Sequence, residues 1–154
     1  MEKHETYTSI ETAKLLKEAG FDWEITTYYH RDWEGEYEPT PTEDFSIINH
    51  TQNLNWNDDE KFSLIPDGQY KGMLNIVSAP SIAMASKWLR EVKHIFVFAV
   101  AFYAPNEGGW VFATNIRNIP SSGDVEISPF STYEQAIEAG VNRALLAILK
   151  KKLK

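Results

Sequence analysis

His94-Ile-Phe-Val-Phe-Ala-Val-Ala-Phe-Tyr-Ala-Pro-Asn-Glu-Gly-Gly-Trp-Val-Phe-Ala-Thr-Asn-Ile116 is the stretch that decides the fold. The nine residues Ile95–Tyr103 that follow His94 are all apolar, rich in aromatic and β-branched side chains and far short of a membrane span. A six-residue loop containing Pro105, Asn106, Gly108 and Gly109 interrupts the run, so a β-hairpin is predicted. Pairing Tyr103 with Trp110 sets the register: Ala101 meets Phe112, Ala99 meets Thr114 and Val97 meets Ile116. One face then carries Ile95, Val97, Ala99, Ala101, Tyr103, Trp110, Phe112 and Ile116. The other carries Phe96, Phe98, Val100, Phe102, Val111 and Ala113. Both faces are apolar, so both are expected to be covered.

Three helices are legible around the hairpin. Thr8 and Glu11 have capping-box spacing, and Gly20 followed by Phe21 reads as a left-handed stop; between them Ile10, Ala13, Leu15 and Leu16 form a stripe. A second helix starts near Pro80 and runs through Ile82, Ala85, Trp88, Leu89 and Val92. A third opens with Ser131 and Glu134 and carries Ile137, Val141, Ala144, Leu145 and Ile148. Gly140 within it costs about 1 kcal/mol against alanine, which predicts close packing there. The trough of Ala99 and Ala101 is where this helix is expected to lie.

Residues 23–30 have strand composition. From Arg31 to about Ser46 the pattern dissolves; 45–48 and 62–65 read as short strands, 49–60 as a polar loop, and 69–77 as weakly strand-like. The middle segment contributes Trp33, Phe45, Ile47 and Trp56, which are expected to cover the Phe96–Phe102 face.

With 154 residues, no cysteine and 24% charged residues, the chain reads as one soluble domain, 1–154, with an acidic irregular insert at about 31–68. The charged N-terminus lacks a signal-peptide run, which places the chain in the cytoplasm as an expectation. Residues 22–67 hold twelve acids against Arg31 and Lys61, a local charge of −10, and the remainder carries +3. Such a stretch repels phosphate backbones, so direct nucleic-acid binding is not expected. The lysines at 150, 151, 152 and 154 read as cations opposing a helix dipole.

His4, His30, His50 and His94 are far apart, and no zinc or nucleophile-elbow spacing occurs. Asn53, Asn55, Asn57 and Asp59 alternate like a calcium loop, but Glu60 stands where that loop needs glycine and Pro66 where it needs glutamate. No cofactor, metal ligand or catalytic residue is assigned. Aromatic side chains among acids remain, and such a rim suits a protein-binding surface. Its candidate residues are Tyr28, Tyr29, Asp32, Trp33, Glu34, Glu36, Tyr37, Trp56, Asp58 and Asp59.

Three blocks carry a resemblance. Ser9-Ile-Glu-Thr-Ala-Lys-Leu-Leu-Lys-Glu-Ala-Gly-Phe21 is the first; Ala79-Pro-Ser with Lys87-Trp-Leu-Arg-Glu-Val92 is the second; Thr132-Tyr-Glu-Gln-Ala-Ile-Glu-Ala139 is the third. Together, over about a third of the chain, they resemble small uncharacterised proteins from phages and prophages of gut Bacteroidetes. The resemblance implies a phage context and brings no activity and no site residue.

The expected fold is α+β, an antiparallel or mixed sheet centred on a 94–117 hairpin with three amphipathic helices packed mainly on one face. The expected function is that of a non-enzymatic phage-type accessory protein that binds a host or phage protein, a monomer rather than a homodimer. Two other classes stay open: a hydrolase using carboxylates such as Asp32, Glu34, Asp58 or Asp59, with or without a divalent metal, and an acidic nucleic-acid mimic.

Overall fold

The computed structural model describes residues 6–31, 45–58, 61, 76–120 and 123–152. Across these residues the fold is α+β, with three α-helices and two three-stranded antiparallel sheets. Where the sequence suggested one sheet, the chain forms two compact units, residues 7–80 and residues 81–154 with 1–6.

The N-terminal unit begins with α1 (Ile10–Ala19). Its cap is Ser9, whose hydroxyl oxygen accepts from the Thr12 N–H, and not Thr8 as its spacing suggested. Thr8 is fully buried and donates its hydroxyl to the Pro80 carbonyl. Gly20 closes the helix at φ 100°, the left-handed stop that the sequence predicts. Strand β1 (Ile25–Arg31) lies between β2 (Phe45–Leu54) and β3 (Ile76–Ser78). The polar run 49–54, expected as loop, is therefore strand. Of this run only Asn49 and Leu54 pair with β1; the exposed residues 50–53 fall in the register break between Ile25 and Thr27, so the run needs few apolar residues. The expected strand at 62–65, and residues 69–75, lie outside the described residues. Ala13, Leu16, Phe21 and Val77 are fully buried in this unit.

The C-terminal unit holds α2 (Ile82–Val92), β4 (Phe96–Ala104), β5 (Gly109–Ile119), β6 (Gly123–Phe130) and α3 (Tyr133–Lys152). Ser81 caps α2 by accepting from the Met84 N–H; Val92, expected in the stripe, is exposed. The hairpin register is Tyr103 to Trp110, Ala101 to Phe112, Ala99 to Thr114 and Val97 to Ile116. A short 3-10 turn, Pro105–Glu107, and Gly108 at φ 91° make the reversal. At the open end His94 and Asn118 both have positive φ, and the Asn118 amide donates to the His94 carbonyl at 2.9 Å. Strand β6, which the sequence did not announce, pairs with β5, so the sheet order is β4-β5-β6.

Helix α3 buries Ile137, Val141, Ala144, Leu145 and Ile148, the predicted stripe. Its capping box is shifted one residue: the Gln135 N–H donates to Thr132 Oγ1, and the Thr132 N–H donates to Gln135 Oε1. Gly140 is the point of closest approach, since a Cβ there would lie 2.5 Å from Thr114 Cγ2 and from Val97 Cγ1. Thr114 also donates its hydroxyl to the Ala136 carbonyl of the helix. The helix thus seats on Val97 and Thr114, and Ala101, expected beneath it, is exposed. The short link explains the shift. Phe130 pairs with Phe112, and only two residues separate β6 from α3, so the helix starts level with Phe112 and leaves the hairpin tip uncovered.

Candidate functional site

Four of the ten candidate binding residues are described; Asp32, Trp33, Glu34, Glu36, Tyr37 and Asp59 lie outside the described residues. Trp56 is 4% exposed, and its indole N–H donates to the Ile25 carbonyl at 2.7 Å. It stacks on Tyr28 with ring centroids 4.2 Å apart, and the His50 ring meets it edge-on. Tyr29 donates its hydroxyl to the Thr8 carbonyl at 2.6 Å. Asp58 is half-buried, and its carbonyl accepts from the Lys61 N–H at 3.1 Å. Tyr28 and Trp56 are thus brought together and tied into the unit's own frame.

Asn57 is a residue whose role the sequence did not reveal. Its amide nitrogen donates to the Phe21 carbonyl, and its oxygen accepts from the Ser78 N–H, each at 2.9 Å. The Asn55 oxygen accepts from the Asn57 N–H at 3.0 Å. Alternating asparagines read as loop polarity because nothing in their spacing tells a backbone staple from a solvated turn. Among the described residues no three His, Asp or Glu side chains are placed to share a metal ion.

The C-terminal unit presents a different surface. Phe96, Phe98, Val100 and Phe102 stand in a row on β4 and are 45, 39, 46 and 37% exposed. Their β5 neighbours Val111 and Ala113 are buried. Of the residues expected to cover this row, Trp56 is committed as above, and Phe45 packs beneath the Lys14 ammonium. Ile47 is itself exposed, and Trp33 lies outside the described residues. The Arg117 guanidinium reaches over the Phe98 ring at 5.9 Å and pairs with Asp124 at 2.9 Å. That hydrogen bond, helped by the Asn118 N–H, holds the Asp124 carboxyl below the usual aspartate value. At the tip Tyr103 and Trp110 meet edge to face, both exposed.

Strand β4 is also an edge, paired among the described residues with β5 alone. Its nine residues include no charge and no proline, the devices that usually protect an edge. Beside its first residues, a cleft of about 570 Å³ opens between α2 and the first turn of α3. Ser86, Lys87 and Arg90 line one wall, Tyr133 and Glu134 another, and Phe98 belongs to its β4 side. Ser86 donates to the Val97 carbonyl at 3.3 Å.

No protein family, no curated protein and no solved structure matches the chain.

Proposed function

We propose that this chain is a phage-type accessory protein that acts by binding another protein. The observation that carries the proposal is the row Phe96, Phe98, Val100 and Phe102, exposed on an edge strand without charged residues. Full burial of such a side chain is worth about 1.5–3 kcal/mol, and at 37–46% exposure somewhat less than half of that is left for a partner to supply at each of the four positions. Aromatic anchors of this density are what partner-binding patches concentrate. The acidic segment around Asp32, Trp33, Glu34, Glu36 and Tyr37 belongs to the same proposal as a second partner-facing region, favouring basic surfaces by charge. The phage context is supported by the three blocks of resemblance.

Affinity capture with matched variants tests it. Val100→Lys places a charge in the β4 row, and Thr51→Lys does the same on the exposed edge of the other sheet. A stoichiometric protein retained by the native chain and by Thr51→Lys, and lost with Val100→Lys, is the expected result. Retention that survives Val100→Lys, or no retained protein at all, would overturn the proposal.

A further inference from the structure

We infer that the partner is engaged as an extended peptide segment that adds a strand to the free edge of β4 and places an acidic end between Lys87 and Arg90. This rests on the protein-binding reading above and specifies the occupant of that surface. Three observations converge on it. The outer edge of β4 has no strand partner among the described residues, so its backbone groups are available to pair, which is how sheet edges capture extended peptides. Helix α2 stands beside the first part of that edge, with Ser86 bonded to the Val97 carbonyl, which leaves Ala99–Ala104 for a new strand. Such a strand would bury alternate apolar side chains against Phe98, Val100 and Phe102.

Charge then selects the occupant. A strand running along Ala99 towards Phe98 enters the cleft, whose volume is within the range of roughly 300–1,000 Å³ common for ligand sites. Lys87 and Arg90, three residues apart on α2, both line it and form no ion pair among the described residues. Glu134 is the one acid in the lining, in the first turn of α3 where the helix dipole favours it, so the cleft stays net positive. The unit agrees in sign: residues 1–6 with 81–154 hold ten bases against eight acids. A second copy answers this site poorly. Its β4 contains no carboxylate, so pairing two such strands would leave both sets of cations unmatched.

Selection from a displayed random dodecapeptide library tests the inference, run against the native chain and against the Lys87→Glu/Arg90→Glu variant. Both substituted residues are exposed, and thermal melting confirms that the variant folds. The native chain is expected to enrich peptides that alternate apolar residues over about six positions and carry acids at one end. The double variant is expected to enrich the same alternation with basic ends and to bind the native-selected peptides at least ten-fold more weakly. Val100→Lys should lose both sets. Apolar residues at helical spacing, or an end charge that the double variant does not reverse, would overturn the inference while protein binding through β4 stood. A dimer that Val100→Lys dissociates, with no peptide enriched, would make the second copy the occupant and would overturn it too. Failure of the capture experiment above would instead remove the reading on which it rests.

Discussion

Among the described residues each sheet ends in a long, exposed edge strand, and the two edges differ in side-chain chemistry. On β2 the exposed positions are Ser46, Ile47, Asn49, His50, Thr51, Gln52 and Asn53, and all but Ile47 are side chains at ease in water. On β4 they include Phe96, Phe98, Val100 and Phe102, at comparable exposure. Backbone geometry therefore does not set the difference; each edge is free to be polar. An edge that stays apolar carries an aggregation hazard, and exposed apolar patches of this kind are typical of interaction sites. The charge follows the same division. The unit with the polar edge holds fourteen acids against five bases, and the unit with the apolar edge is slightly basic.

Single substitutions probe each side of this contrast, and Trp56, in the core behind the polar edge, is where the loss should be greatest. Trp56→Ala removes a buried indole, its stack on Tyr28 and its bond to Ile25, and should cost about 3–5 kcal/mol in urea unfolding. A loss under 1 kcal/mol would mean that Trp56 is not the anchor of that turn. Behind the apolar edge, Gly140→Ala drives a methyl into Val97 and Thr114, an overpacking cost of about 1–3 kcal/mol that outweighs the helix-propensity gain of about 1 kcal/mol at its upper end. A stabilised Gly140→Ala variant would show that α3 does not seat there. Thr51→Lys and Val100→Lys should each change stability by no more than about 0.5 kcal/mol, since both sites are exposed. A large loss with Val100→Lys would mean that the β4 row belongs to the protein's own core.

The smallest effect is electrostatic. Asp124 is held below the usual aspartate value first by the hydrogen bond from Arg117, then by the Asn118 N–H. The sign follows from the depression: the contribution is present above the ordinary aspartate pKa and is lost as pH falls through the lowered one. A carboxyl NMR titration of Asp124 should find a depressed midpoint that moves back towards the ordinary value in Arg117→Gln. An identical midpoint in the two proteins would contradict the pairing.

Legibility followed the strength of the apolar signal in each segment and not the boundary between the units. The hairpin register and the apolar stripe of α3 could be read because long apolar runs, a glycine-rich reversal and helical spacing each admit one solution. Strand β6 escaped because Val125 and Ile127 are only half-buried, with Asp124, Glu126, Ser128 and Pro129 among them, a weak alternation. The polar half of β2 escaped for a related reason, since an exposed edge strand carries no hydrophobic signal. At both α1 and α3 the cap falls one residue after the position that the spacing suggests, because Thr8-Ser9 and Ser131-Thr132 each offer two adjacent hydroxyls. The β4 row was legible as apolar. That it stays exposed was not, since cover by a distant segment depends on tertiary structure that side-chain pattern does not encode.

The most direct test of the central claim, that the apolar edge is where a partner binds, is site-specific photocrosslinking in cells that naturally carry this protein. A photoreactive residue replaces Val100 on β4 in one chain and Thr51 on β2 in another. One discrete protein adduct from position 100 and none from position 51 is the expected result. Adducts of equal yield from both positions, or from position 51 alone, would contradict it.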